Sequence, residues 1–245
     1  MNKNIHTLII GDEILSGKRK DKHLSILISK LNDKNLSLNG ASYIGDNEVD
    51  IIKIIKENKN NILFSFGGIG ATPDDKTRHA AAKAHDLELH RHEEAKALIE
   101  KQFGEEAYPN RILMADLPKH VKLIPNEINN IPGFSIDHHH FMPGFPEMAW
   151  PMIDWILKNY YGLLMAQKKI FDQSIWIDDR SESTLIGLMN KIEQKFQHIN
   201  IYSLPKMTPK KTIEFGIKGD ENEVTKAMIF LKNFLDENKI KWRNN

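Results

Sequence analysis

Apolar positions in the first part of the chain follow two alternating spacings, and each spacing predicts one kind of element. Short, almost continuous apolar runs are typical of buried parallel strands. Apolar residues three and four positions apart are typical of amphipathic helices, and they follow each run. Strands that alternate with helices indicate a parallel sheet with right-handed crossovers. The predicted strands cover residues 7–10, 38–44 and 62–66, and the following helices hold Leu24, Val49 and Lys76.

The pattern is less regular over the next hundred residues, but it still alternates. Pro151 lies inside the last predicted helix, so it must occupy the first turn or bend that helix. We therefore predict a three-layer α/β domain with a mostly parallel sheet over residues 1–165. The further elements are helices at 93–103 and 147–157 and strands at 121–124 and 138–142.

The remainder of the chain, residues 166–245, has a different order of elements, β-α-β-β-α-β. That order is the split βαβ of ferredoxin-like domains, which predicts a second, smaller α+β domain. The predicted strands are 170–177, 199–204, 213–217 and 239–243, and the helices hold Leu185 to Phe196 and residues 221–237.

Composition narrows the possible functions. The formal net charge of the 245 residues is +1, too small to favour nucleic acid or a membrane surface as a partner. The chain has no cysteine, which excludes disulfides, thiolate metal sites and cysteine nucleophiles. No apolar stretch approaches the roughly 20 residues that span a bilayer. We expect a cytoplasmic protein that binds neither nucleic acid nor membrane.

A glycine-rich segment, residues 67–75, joins the third predicted strand to a helix. Backbone N–H groups at such a junction can hold a phosphate, and ligands bind beyond the carboxyl ends of strands in open α/β sheets. The alternative is a plain helix start, with Thr72 as the N-cap, Pro73 next and Asp75 closing a capping box. That alternative does not explain three glycines in four positions, so we predict phosphate binding by Gly67, Gly68 and Gly70.

Carboxylates follow each of the first three predicted strands. Because the carboxyl ends of parallel strands meet at one edge, these side chains are expected to converge on one cleft. A carboxylate cluster beside a phosphate site suits Mg²⁺ or a similar hard cation. Each carboxylate taken alone is better explained as a helix cap or a solvated loop residue, and only their convergence favours a cation site. The set is Asp12, Glu13, Asp46, Asp74 and Asp75.

A run of three histidines, His138 to His140, lies on a predicted strand. Two of them share one face, an arrangement that can bind a transition metal. We favour the other interpretation, a polar strand edge near the cleft or an interface, and we expect His85 at the surface.

Several motifs resemble CinA-type competence/damage-inducible proteins. Residues 11–17 resemble that family's Gly-Asp-Glu-Leu-Leu-Ser-Gly, and residues 67–77 its Gly-Gly-Leu-Gly-Pro-Thr-Pro-Asp-Asp-Leu-Thr. Residues 142–148 resemble Leu-Pro-Gly-Val-Pro-Glu-Met. The first 160 residues thus resemble the nucleotide- and pterin-binding domain that CinA shares with the MoaB/Mog molybdenum-cofactor proteins. One departure is the segment Asn-Asn-Ile-Pro-Gly at 129–133, where the family has Gly-Thr-Ala-Pro-Gly.

The resemblance implies a metal-dependent pyrophosphatase acting on ADP-ribose-like nucleotides with Mg²⁺, Mn²⁺ or Co²⁺. It leaves two alternatives: a molybdopterin-binding or adenylyl-transfer protein, and a non-catalytic nucleotide-binding regulatory module. The small domain also resembles CinA, but many relatives continue into a nicotinamide-nucleotide amidase, an activity not expected here. We expect a small nucleotide or pterin ligand and, by resemblance only, a homo-oligomer. The expected roles are catalysis by Asp75 and Asp46, ligand contacts from Gly67, Gly68, Gly70, Thr72, Ser16 and Gly144, and metal ligation by Asp12, Glu13 and Asp74.

Overall fold

The computed structural model describes residues 4–162, 171–206 and 211–245. The chain divides into two compact units, Met1–Met165 and Ala166–Asn245. In the described part of the chain, no helix is both long enough and apolar enough to cross a membrane.

The first unit alternates strands and helices as its apolar pattern predicts. The strands are β1 (Ile5–Ile10), β2 (Gly40–Ile44), β3 (Ile62–Phe66), β4 (Leu89–Arg91), β5 (Asp116–Pro118), β6 (Lys122–Ile124), β7 (Gly133–Ile136) and β8 (His139–Met142). The helices are α1 (Asp12–Leu15), α2 (His23–Asn32), α3 (Glu48–Glu57), α4 (Thr77–Ala84), α5 (Glu93–Phe103) and α6 (Pro146–Tyr160). Pro151 lies inside α6 rather than in its first turn.

Six of these strands form the central sheet, in the order β2-β1-β3-β8-β7-β6. The neighbours from β2 to β8 are parallel, whereas β7 is antiparallel to both β8 and β6. The prediction of a mostly parallel sheet is confirmed. The strand β7 and the small β4-β5 sheet were not predicted, because β7 begins in a Pro-Gly pair that is typical of a turn, and β4 and β5 are three-residue runs that end in Arg91 and Pro118.

The sheet is buried on both faces, which makes the unit three-layered. Along β1, Leu8 and Ile10 pack in one core with residues of α3, α4 and α5. Ile5 and Ile9 point the opposite way and pack with residues of α2 and α6. This alternation is the period of two that a strand imposes on its side chains. It explains why β1 and β3 are almost continuously apolar.

The histidine run lies in the interior of the sheet, because β8 pairs with β3 on one side and β7 on the other. His139 and His140 are 2% and 0% exposed, so the interpretation as a polar strand edge is wrong. Each is buried with hydrogen-bond partners, as buried polar groups require. His139 Nδ1 lies 3.0 Å from His85 Nε2, and His140 Nε2 lies 2.6 Å from the Tyr161 hydroxyl. His85 is therefore half-buried and paired rather than a plain surface residue.

The second unit holds a four-stranded antiparallel sheet of order β10-β11-β9-β12. Two helices and the sheet enclose a separate core that includes Ile177, Phe215 and Leu231. The order confirms the ferredoxin-like prediction; residue 170, where the first strand was predicted to start, lies outside the described residues. The elements are β9 (Phe171–Asp178), α7 (Ile186–Lys195), β10 (Ile199–Lys206), β11 (Thr212–Gly219), α8 (Glu221–Glu237) and β12 (Trp242–Asn244).

Candidate functional site

A cavity of about 410 Å³ opens in the first unit, where β1, β3 and β8 end. This is the edge at which open α/β sheets bind their ligands. The loops that follow the three strands form most of its wall. Of the residues expected in the site, those that line it are Glu13, Asp46, Gly67, Gly68, Gly70, Thr72, Asp74, Asp75 and Gly144.

The glycine loop is held by its carbonyl groups. Thr77 donates twice, from Oγ1 to Gly67 O and from its backbone N to Gly68 O, both at 2.9 Å. Arg78 Nη2 donates to Gly70 O, also at 2.9 Å. In a trans peptide, the C=O and the following N–H point in opposite directions. These three carbonyls face the start of α4, so the N–H groups of the next residues point away from that helix.

Over the described residues, the backbone N–H groups that follow these carbonyls, on Gly68, Ile69 and Ala71, make no hydrogen bond. The N–H of Gly70 makes none there either, and all four residues line the cavity. Backbone N–H groups are strong donors that native structures rarely leave unpaired. Successive N–H groups in a loop form a concavity that binds anions. We call residues 68–71 the amide cradle.

Two glycines are required for this loop shape. Gly67 and Gly68 have φ values of +102° and +68°, where other residues are strained. A Cβ at Gly67 would overlap the backbone oxygen of Ile10, and one at Gly68 would overlap Thr77 Oγ1. The close approach of β1 and α4 to this loop therefore excludes any side chain.

The segment after the cradle is a closed turn rather than the first turn of α4. Asp75 Oδ2 accepts hydrogen bonds from the backbone N of Thr72 at 2.9 Å and from the Thr72 hydroxyl. The helix starts at Thr77 with Lys76 as its N-cap, which makes no side-chain capping bond. The interpretation of Thr72 and Pro73 as the helix start is thus wrong. One oxygen of Asp75 is committed to shaping the loop.

Arg78 anchors the loop and was missed in the sequence. It is only 4% exposed, and its guanidinium donates to Gly70 O, to Leu113 O at 2.7 Å and to Asp116 O at 2.9 Å. Burial lowers its pKa, while the charges of Asp116 and Asp75 act in the opposite direction. Its partners are backbone carbonyls 8, 35 and 38 residues away, so no local sequence signal indicates them.

The carboxylates on the cavity wall differ in their affinity for protons. Burial raises the pKa of Asp46, and a hydrogen bond from the backbone N of Asp12 lowers it. The negative charges of Asp12, Glu13 and Asp74 also raise this pKa. The Thr72 hydroxyl, which the carboxylates of Asp74 and Asp75 share, lowers the pKa of Asp74. Asp46 is therefore better suited than Asp74 to take up a proton.

Two expected site residues do not reach the cavity wall. Asp12 is exposed, and it contributes its backbone N to Asp46 Oδ2 at 3.0 Å. Ser16 is exposed at the end of α1. Neither is among the described residues that line the cavity.

The carboxylates do not form a ready-made metal cage. Among residues 4–162, 171–206 and 211–245, no group of three or more His, Asp or Glu side chains is arranged to hold a metal ion. Mg²⁺, however, is commonly held by one or two carboxylates together with phosphates of the substrate. The carboxylates of this cavity offer oxygen donors and lie next to the amide cradle. They therefore fit a cation that is held partly by the protein and partly by substrate phosphates.

The rest of the cavity lining is mostly apolar. Two asparagines, Asn126 and Asn129, interrupt it, and Arg19 supplies one positive charge beside Glu13, 3.9 Å away. Asn126 and Arg19 were not indicated by the sequence, because they lie in segments without a motif. The apolar lining residues here are Ile69, Met114, Ile131, Phe145 and Met148.

Comparison with known proteins places this site in a family. A family model described as a probable molybdopterin binding domain matches residues 6–162, which include the whole cavity. The chain belongs to this family. The match covers β1 to α6, so it includes the amide cradle and every carboxylate on the cavity wall.

Individual relatives agree with that family and with the CinA resemblance, which is confirmed. A CinA-like protein of Syntrophotalea carbinolica is 33% identical over 162 residues, and the alignment covers 62% of this chain and 39% of that protein. The chain thus matches well under half the length of that relative. A protein of Pyrococcus abyssi is 30% identical over 240 residues, with 91% and 92% covered.

One solved structure is similar as a fold. The protein CinA from Thermoplasma acidophilum, described as having unknown function, superposes with a TM-score of 0.59 at 24% identity. The superposition covers 64% of this chain and 97% of that one.

Proposed function

We propose that the first unit hydrolyses the diphosphate bond of ADP-ribose-like nucleotides with the help of Mg²⁺, Mn²⁺ or Co²⁺. The observation that carries this proposal is the amide cradle: four N–H groups without a hydrogen-bond partner among the described residues, in the wall of a cavity that also carries four carboxylates. A site of this kind can hold phosphate oxygens on one side and a hard cation on the other.

The charges of the cavity support a cation. Its wall carries four carboxylates, from Glu13, Asp46, Asp74 and Asp75, and Arg19 is the one cationic side chain among the lining residues described. A diphosphate would be repelled by this wall unless a cation lay between them. Bound there, a divalent ion would polarise the phosphoryl group and lower the pKa of water.

The reaction requires no covalent nucleophile. Water adds to one phosphorus atom as the bridging P–O bond breaks, so ADP-ribose yields AMP and ribose 5-phosphate. The Asp46 carboxylate, whose pKa is raised, accepts a proton from the water. The N–H groups of the cradle stabilise the charge on the phosphoryl oxygens. Asp75 keeps the loop closed through Thr72 and lines the cavity.

The family description favours a second candidate. A probable molybdopterin binding domain suggests a pterin ligand, with or without adenylyl transfer. The same cradle would hold the phosphate of the pterin, and the apolar wall would contact its ring.

The test is release of AMP from ADP-ribose, FAD and NAD with each metal added. We expect metal-stimulated cleavage by the wild type and its loss in Asp46→Asn. The matched control is Asp50→Asn, a carboxylate exposed on α3 and outside the cavity lining, which should keep full activity. Binding without turnover by folded wild type would contradict the pyrophosphatase proposal and favour a pterin-binding or regulatory module.

A further inference from the structure

The side-chain amide of Asn129, in the cavity wall, is held in one orientation by its neighbours. Asn126 is 5% exposed, and its Nδ2 donates to Asn129 Oδ1 at 2.7 Å and to Ile131 O at 3.0 Å. The backbone N of Ile131 donates to the same Asn129 Oδ1 at 3.1 Å. All three residues line the cavity. The Asn129 oxygen is therefore held by two donors from inside the protein.

This arrangement fixes which end of the Asn129 amide is free for a ligand. A rotated amide would place an NH₂ group against two donors, so its orientation is determined by the network. Its Nδ2 donates to Met148 Sδ at 3.5 Å. A thioether sulfur is a weak acceptor, which a carbonyl oxygen would readily replace.

The surroundings of Asn129 suit a flat ring. Met148 and Met114 offer polarisable thioethers that contact aromatic rings well. Phe145 is 54% exposed at the cavity wall and can stack on a ring. Because the cradle and the carboxylates are assigned to the phosphates and the cation, the ring of a ligand is expected to contact this apolar wall.

We propose that Asn129 selects ligands whose fused ring carries a carbonyl oxygen, as in an oxopurine or a pterin, over ligands with an amino group in that position, so that among nucleotides like ADP-ribose the cavity prefers those with an oxopurine base to those with adenine. The inference rests on the proposed function, because it assumes that the cavity holds a nucleotide or pterin.

The hydrogen-bonding groups of adenine explain why Asn129 should prefer a carbonyl oxygen to an amino group. An asparagine recognises the edge of adenine by donating to a ring nitrogen and accepting from the amino group. Asn129 cannot do both, because its oxygen is already engaged by Asn126 and Ile131. A ring with a carbonyl oxygen needs only the donor, and the amino group of adenine would meet that donor unfavourably.

The test uses inosine 5′-diphosphate and adenosine 5′-diphosphate, whose rings differ at one edge: oxo replaces amino at C6, and N1 carries a hydrogen in the inosine compound. Their dissociation constants are measured by calorimetry with Mg²⁺, and neopterin monophosphate distinguishes a pterin from a purine source of the carbonyl. We expect the wild type to bind the inosine compound about tenfold more tightly, the effect of about one hydrogen bond. Asn129→Asp, which has only acceptors, should reverse the preference.

The matched control is Asn130→Asp. Asn130 is exposed, donates a hydrogen bond to Gln102 and does not line the cavity. Its substitution therefore adds the same charge without placing it beside the ligand ring. It should leave the ratio of the two affinities unchanged. An Asn129→Asp ratio equal to that of the wild type, with both ligands bound, would overturn this inference alone. Failure of the wild type to bind any of the three ligands would overturn the proposed function and this inference with it.

Discussion

Replacing Gly67 with alanine tests whether the cradle depends on close approach of the backbone. The substitution has two separate effects. A non-glycine residue at φ +102° is strained, which costs about 1–3 kcal/mol. The new Cβ also overlaps the oxygen of Ile10, a backbone atom that cannot rotate away, which adds about 1–3 kcal/mol. We therefore expect Gly67→Ala to lower the free energy of unfolding by about 2–6 kcal/mol.

Two other glycines of the same unit separate these effects. Gly104 also has a positive φ, +56°, but a Cβ there meets nothing within 4 Å, so Gly104→Ala should cost only the backbone strain, about 1–3 kcal/mol. A Cβ at Gly144 lies 3.4 Å from Gly67 Cα, an ordinary contact without strain, so Gly144→Ala should be nearly neutral.

The assay is chemical denaturation of the three variants and the wild type, together with calorimetric binding of ADP in the presence of Mg²⁺. Gly67→Ala should be the least stable and should lose binding, because the overlap moves the loop that carries the cradle. Equal stabilities for Gly67→Ala and Gly104→Ala would refute the reasoning, since strain alone would then explain both.

Three further predictions concern residues around the site and in the core. Arg78→Lys should weaken nucleotide binding, because a single ammonium group cannot reach three carbonyls. Arg91→Lys, in the half-buried Arg91–Asp116 pair outside the cavity lining, should not weaken it, and equal effects in the two variants would count against the anchoring role of Arg78. Burial lowers the pKa of His139 to about 4, so the folded state stays neutral where the unfolded chain takes up a proton. The contribution of His139 to stability is then fully present above pH 6.5 and falls by about 3 kcal/mol on acidification towards pH 4. His139→Gln should flatten this fall in a pH series of denaturation curves, and an unchanged slope would contradict it. Asn47→Ala should cost about 1 kcal/mol in thermal or chemical unfolding, because Asn47 Oδ1 caps α3 through two backbone N–H groups, and a neutral result would show that the cap is dispensable.

The regular elements were predictable because burial imposes a period on the sequence. β3 is buried at all five positions and reads as a continuous apolar run, and α5 and α8 begin and end at the predicted residues. The same reasoning failed for the histidine run. A run of polar residues suggests an exposed edge, but His139 and His140 are buried, and their hydrogen-bond partners lie far away in sequence.

The candidate site was also predictable only in part. The glycine loop was recognised because three glycines in four positions need a reason beyond a helix start. The Thr72–Asp75 turn was mistaken for a helix start, since the capping motif has the same letters in both. Arg78 and Asn126 were missed because they act on backbone groups of other segments, and such contacts leave no local pattern.

The central claim is that the amide cradle and the facing carboxylates together hold a diphosphate and a divalent cation. Its most direct test is a crystal structure with Mn²⁺ and a non-hydrolysable methylene analogue of ADP-ribose, with the metal located by anomalous scattering. We predict diphosphate oxygens within hydrogen-bonding distance of the N–H groups of residues 68–71 and a manganese peak in the same cavity. A ligand bound elsewhere, or a cradle whose N–H groups are engaged by the protein itself, would contradict the account.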